Sequence, residues 1–362
     1  MNILIVKLSA IGDVVQSLPF LETLRKAFPE SRIDWVVEEA SHPILEGHPA
    51  INEIIVSRRK IWQRNIVKNN NRIKLLYQIY QFFNELRARR YDWVIDLQGL
   101  LKSGVITGLA RGERKMGMSG SREGASLFLN ERPIPVSYEQ HAIDRYLRVA
   151  DYLGCDPVSG PSPVRFSDTD REAVEQILEQ AGIGDRPLVA VHPVAKWPTK
   201  LWEYDRFAVV ADRVMAEAGC EIAFTGSHAD RPVIHDIAQQ MGRTPLNLAG
   251  RTTLKQLAYL YARCKALVTT DTGPMHIAAA MGCPVVALFG PTAPWRTGPY
   301  GKGHRVVRAD IPCSPCFKKR CEHVTCMREI HVDRVVEGVK ETLRVESPDG
   351  NQAEKEIIDG HQ

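Results

Sequence analysis

No stretch of this 362-residue sequence approaches the ~20 consecutive apolar residues that a membrane-crossing helix requires. The apolar opening, Met1–Ala10, is too short for a signal peptide and contains Lys7, so it reads as a first strand. A cytoplasmic protein, at most peripheral to a membrane, is therefore expected. Eight cysteines in such a setting argue against structural disulfides; Cys155, Cys220, Cys264 and Cys283 are scattered and read as core. Missing too are two nucleotide fingerprints. No G-x-G-x-x-G follows the first strand, which weighs against nicotinamide and flavin enzymes, and no G-x-x-x-x-G-K-[ST] occurs, which weighs against a P-loop kinase. No D-x-D lies at a plausible turn to hold a divalent metal. The net charge of +4 is too small to argue for nucleic acid.

What is present is the composition of a folded chain, 44% hydrophobic and 25% charged, long enough for two domains. Strand-like and helix-like segments alternate. Asn2–Leu8, Arg32–Glu38, Glu53–Val56 and Tyr91–Leu97 read as strands; Asp13–Phe28, Leu75–Arg90 and Glu139–Leu153 read as helices. Pro157, Gly160, Pro161 and Pro163 then mark a linker. The alternation restarts with strands at Leu188–His192 and Glu221–Thr225, and helices at Glu203–Ala218, Arg231–Met241 and Leu254–Cys264. A last helix is expected over Val332–Leu343. The expected organisation is an N-terminal domain (1–155), a linker (156–165), a C-terminal domain (166–345) and a disordered tail (346–362). Both domains are read as doubly wound parallel sheets, with ligands outside the carboxyl ends of the strands and an active site in the cleft between the halves.

The stretch Ala266–Pro294 is the most informative. A β-branched run ends at Thr270, Asp271-Thr272-Gly273 supplies a turn, and Pro274 suits the first position of a helix. Gly282 stops that helix, and Pro284–Phe289 forms another buried strand. A helix start at the end of a parallel strand is a site for an anion such as a diphosphate, although any α/β protein contains such turns. In the other half, Asp13 follows Gly12 after the first strand. Spacing alone leaves it either a helix cap or a carboxylate base. Seven Lys/Arg and no acid lie between Arg58 and Lys74, a local cationic surface.

DTGPMHIAAAMGCPVVALFGPT, together with KLSAIGDVVQSLP near the N-terminus, closely resembles the ADP-heptose:lipopolysaccharide heptosyltransferases of glycosyltransferase family 9. The resemblance runs from about Met1 to about Glu341, and DWVVEE at Asp34–Glu39 is nearest to the branch that adds the first heptose. It implies a GT-B fold, two Rossmann-like domains facing a cleft. It also implies inverting, metal-independent transfer of heptose from ADP-heptose to a Kdo-lipid A inner core at the inner membrane, without cofactor or nucleic acid. Rivals are heptosyltransferase II or another sugar and acceptor on the same fold, a nucleotide-sugar epimerase, and a non-catalytic nucleotide-sugar binding protein.

By the same resemblance, Asp13 is the base and Lys7 orients it or meets ligand charge. Lys200, with Lys196 as a second candidate, faces the donor diphosphate. Asp271, Thr272, Gly273 and His276 bind the donor, and Asp230 stands where relatives carry a Glu that contacts ribose. Arg58, Arg59, Lys60 and Arg64 would recruit the phosphates and carboxylates of the acceptor, as would Lys102, Arg122, His141 and Arg145. Cys313, Cys316, Cys321 and Cys326 form C-x2-C-x4-C-x4-C. Four thiols so close could hold zinc, although the spacing is not one of the common zinc frames and the transfer itself is expected to need no metal.

Overall fold

The computed structural model describes residues 1–67, 72–184 and 186–344. The tail read as disordered lies outside the described residues, as does Lys68 of the cationic run. The chain divides into a compact unit Met1–Arg165 and a second beginning at Phe166.

In the first unit, β1 (Asn2–Val6), β2 (Arg32–Glu38), β3 (Glu53–Ser57), β4 (Tyr91–Asp96) and β5 (Gly112–Gly117) make a parallel sheet in the order β3-β2-β1-β4-β5. Val6 pairs with Val36 on one side and Asp96 on the other. Ile3, Leu4, Ile5 and Val6 are all buried, so both faces of the sheet are covered and the strand reads as a continuous apolar run rather than an alternating one. The second unit repeats the plan. Its strands β6 (Leu188–His192), β7 (Glu221–Phe224), β8 (Leu246–Asn247), β9 (Ala266–Thr270), β10 (Val285–Phe289) and β11 (Arg305–Arg308) lie in the order β11-β10-β9-β6-β7-β8, every pair parallel. In each sheet the chain winds outward one way from the first strand, then returns to wind the other way. The reversal falls between β1 and β4, and between β6 and β9. Loops diverge there and leave a crevice at the carboxyl ends of the strands.

Several elements depart from expectation. The helix expected over Asp13–Phe28 is two, Ile11–Val15 and Leu18–Ala27. Pro19 stands in the first turn of the second, where its missing N–H costs nothing. The cationic run contains a helix, Arg59–Val67, and a helix at Asp168–Gln180 precedes β6. Leu101–Leu109 is a helix despite Gly104 and Gly108. A Cβ at those positions would stand 2.8 and 2.6 Å from the Phe128 ring, so glycine is needed for that ring to pack. β5 and β11 are edge strands with polar sequences, GERKMG and RVVR, which hides them from a hydrophobic pattern.

The signature region folds as read, with one shift: the helix is Gly273–Ala280, so Pro274 is its second residue. Gly282 takes a left-handed φ of 74°. Its N–H donates to Ala279 O at 3.2 Å and that of Cys283 to Ala278 O at 3.0 Å, a Schellman stop.

Candidate active site

At the β1/β4 crevice the buried Lys7 anchors the loop that carries Asp13. Its ammonium donates to Tyr146 OH at 2.7 Å and to Leu97 O at 3.2 Å, while its carbonyl accepts from Trp35 Nε1 at 3.1 Å. Burial alone would push the Lys7 pKa down; Tyr146, Asp13 and Asp96 outweigh it and hold the pKa above its ordinary value. A fixed cation therefore stands near Asp13. Asp13 lies in the first turn of its helix rather than at the cap, and its Oδ2 accepts from the Ala10 N–H at 2.8 Å. Asp96 closes the other wall, accepting from the Gln98 and Gly99 N–H groups and from Ser103 Oγ at 2.8, 3.0 and 2.9 Å.

The cationic run is not a free solvated face. Arg59 and Lys60 meet the buried Glu38 carboxylate at 3.2 and 2.8 Å, and Lys102 meets it at 3.0 Å while also donating to Ser9 Oγ at 2.6 Å. Burial would raise the Glu38 pKa, but Lys60 and Lys102 pull it down to about 2. Arg58 pairs with Glu39 at 3.4 Å, and Arg64 is exposed. Arg122 is exposed on a loop whose backbone N–H bonds Gly99 O at 2.8 Å. His141 caps the helix Ala142–Tyr152, its Nδ1 accepting from the Ile143 N–H at 3.2 Å. Arg145 is buried, donating to Gln140 O at 2.7 Å and lying 4.8 Å from the Tyr138 ring centre.

At the β6/β9 crevice, Lys200 ends a 3-10 turn, Pro198–Lys200, and its Nζ lies 2.6 Å from Asp271 Oδ2. Thr292 Oγ1 donates to the same oxygen at 2.6 Å, so Oδ1 is the carboxylate oxygen that could accept from a ligand hydroxyl. The Trp197 ring lies beneath Lys200 and Lys319, at 4.6 and 4.9 Å. Lys196 is exposed beside it. Thr272 begins the helix Gly273–Ala280 without a side-chain cap bond, Gly273 is its first residue, and His276 is half-buried in its opening turn. Asp230 Oδ2 accepts from Ser227 N–H and Oγ at 2.8 and 2.6 Å, closing the turn before the helix Arg231–Gln239. His192, buried at the end of β6, lies 3.0 Å from Thr225 Oγ1, itself 3.0 Å from Tyr261 OH. Burial pushes the His192 pKa down to about 4 against the opposing influence of Asp230 and Thr225.

Cys313, Cys316, Cys321 and Cys326 line one cavity of about 100 Å³ with Thr199, Lys318 and His323. Among the described residues no three Cys, His, Asp or Glu side chains converge as a metal-holding set. The cysteine loop instead braces the Lys200 turn, with Thr199 Oγ1 donating to Lys318 O at 2.8 Å.

Glu38, Tyr146, Thr292 and His192 were not singled out from the sequence. Glu38 had a signal, a carboxylate closing the apolar strand β2 at its carboxyl end; the others had none that local pattern could supply. Together these groups offer a carboxylate beside a fixed cation, suited to taking a hydroxyl proton. They also offer a lysine and a helix start, suited to the charge of a departing diphosphate.

Comparison with known proteins places the chain in a family. Residues 79–326 match the profile of glycosyltransferase family 9 (heptosyltransferase). The chain is 33% identical over 340 residues to lipopolysaccharide heptosyltransferase 1 of Pseudomonas aeruginosa, covering 89% of this chain and 88% of that one. Its fold superposes on the family 9 glycosyl transferase from Veillonella parvula with a TM-score of 0.81 at 26% identity, over 94% of this chain and 97% of that one. E. coli heptosyltransferase WaaC with ADP-2-deoxy-2-fluoro heptose gives 0.73 at 27% identity, over 94% and 99%. A match to the profile across most of the chain, with a third of positions shared with one member, establishes that this protein belongs to glycosyltransferase family 9, the heptosyltransferases.

Proposed function

We propose that this enzyme transfers heptose, with inversion and without metal, from ADP-L-glycero-D-manno-heptose to the Kdo-lipid A inner core as the first heptose of lipopolysaccharide, working in the cytoplasm at the surface of the inner membrane. Asp13 takes the proton from the acceptor hydroxyl as that oxygen attacks the anomeric carbon. The C1–O bond to the diphosphate breaks, and ADP leaves with the bonding electron pair. Lys7 keeps the Asp13 loop in place.

The observation that carries this reading is the Lys200–Asp271–Thr292 cluster beside the start of the helix Gly273–Ala280. An ammonium held by a carboxylate, next to the positive end of a helix, can neutralise a diphosphate where other enzymes use a divalent ion. Thr272 and Gly273 would meet the phosphates, Asp271 Oδ1 and His276 the sugar. Arg58, Arg59, Lys60, Arg64, Lys102 and Arg122 would meet acceptor phosphates and carboxylates, Arg59, Lys60 and Lys102 by exchanging Glu38 for them. His141 and Arg145 shape that region through the helix they begin.

Mass spectrometry of the product tests the proposal. ADP-heptose with Kdo-lipid A should yield an acceptor heavier by one heptose, and UDP-sugars should not substitute. Transfer only to an acceptor that already bears heptose would move the enzyme to the second step, and preference for UDP would overturn the donor assignment.

A further inference from the structure

The helix Arg72–Arg87 is apolar on two sides. One side belongs to the core: Leu75, Phe82 and Leu86 are buried, and Ile79 and Phe83 pack against them. On the other, Ile73, Leu76, Tyr77 and Tyr80 fall at i, i+3, i+4 and i+7 and are 82%, 66%, 58% and 61% exposed. Other large exposed apolar side chains, such as Leu127, Trp295 and Phe317, do not recur at this spacing along one helix.

Charge identifies the occupant. From Arg58 to Asn84 the sequence holds seven Lys/Arg and no Asp or Glu. Arg58 and Lys60 are 54% and 55% exposed even while paired with Glu39 and Glu38, and Arg64 and Lys74 are exposed as well. An apolar stripe with two tyrosines, set in a stretch of one charge sign, matches the interface of an anionic bilayer. The aliphatic groups enter the acyl boundary, the phenols remain at headgroup level and the cations meet lipid phosphates. The helix has 16 residues and is half core, so it lies on a membrane rather than across it.

We infer that the Ile73–Leu76–Tyr77–Tyr80 face docks this protein on an anionic lipid surface. The inference rests on the proposal that the acceptor is a lipid, and it names the surface that meets that lipid's membrane.

Co-sedimentation with vesicles tests it. The protein should pellet with phosphatidylcholine–phosphatidylglycerol vesicles and much less with phosphatidylcholine alone. The variant Ile73→Ser, Leu76→Gln, Tyr77→Gln, Tyr80→Gln changes only exposed side chains, and its thermal melt should match the wild type. Its partition onto the anionic vesicles should fall by roughly tenfold or more. Lys74→Gln should weaken binding to anionic vesicles alone. Transfer to a deacylated, water-soluble acceptor should be unchanged in the four-residue variant, while transfer to acceptor embedded in vesicles falls. Wild-type protein that ignores anionic vesicles, or a stripe variant that binds them equally well, would overturn the inference. So would a wild-type dimer that the variant converts to monomer with vesicle binding unmoved, which would make the stripe a contact between copies. Loss of transfer to the soluble acceptor in wild-type protein would instead count against the functional reading and leave the docking result to stand alone.

Discussion

Lys200 and Asp271 hold each other at 2.6 Å, and that contact decides what each can do for a donor. Asp271 keeps the ammonium positioned over the Trp197 ring, yet it also neutralises part of the charge that a diphosphate would seek. The two residues should therefore separate by ligand. Lys200→Ala removes a charge-assisted contact of ~1.5–3 kcal/mol and should weaken ADP by about ten- to a hundredfold in calorimetry. Asp271→Asn frees the lysine, so ADP should bind at least as well as to the wild type. ADP-heptose should gain less than ADP or lose affinity, because an amide replaces the carboxylate proposed to accept from the sugar. If Lys200→Ala binds ADP at full strength, the lysine is no diphosphate ligand.

The chain His192–Thr225–Tyr261 ties the ends of β6 and β7 to the helix Leu254–Arg263, and it carries a pH signature. Folded His192 titrates at about 4, below its unfolded value near 6.5. Above pH ~6.5 both states are neutral and His192 contributes nothing to the pH dependence. As pH falls from there to about 4 the unfolded chain takes up a proton that the folded chain refuses. Stability is lost across that window, by up to roughly 3 kcal/mol. Glu38, with a folded pKa of about 2, works lower: the stability it adds is present above its unfolded pKa near 4.5 and is lost as pH falls toward 2. His192→Gln keeps a side chain able to bond Thr225 but cannot titrate. Its urea midpoint should decline less than that of the wild type between pH 6.5 and 4. Parallel curves for the two proteins would show that His192 is not the group responsible.

Such elements also show what a sequence exposes and what it conceals. The β9–helix–β10 signature was legible because punctuation and pattern agree: Asp-Thr-Gly for the turn, Gly282 for the stop, and continuous apolar runs for strands covered on both faces. The Glu38 hub was not legible, since β2, the start of the helix Arg59–Val67 and the helix Leu101–Leu109 meet there only after the sheet is assembled. The cationic run was correctly located as charge, but its partners lie on other elements. Asp230 was placed at the ribose by the resemblance, and its hydrogen bonds to Ser227, which fix one of its oxygens in a turn, were not legible from it.

Across the whole molecule, one winding plan occurs twice, and each copy places its candidate site residues at its own switch point: Lys7 and Asp13 after β1, Lys200 after β6 and Asp271 after β9. β/α alternation made this class of fold readable from the sequence. The proposed mechanism divides the labour, with a carboxylate base from one unit and a metal-free charge sink from the other. Turnover of ADP-heptose with Kdo-lipid A in excess EDTA, measured side by side for wild type and Asp13→Asn, tests that division most directly. The wild-type rate should be unchanged by chelation, and the Asn variant should be folded but slower by ~10²–10⁴. Chelation that abolishes wild-type transfer, or an Asn variant that retains most of it, would contradict the account.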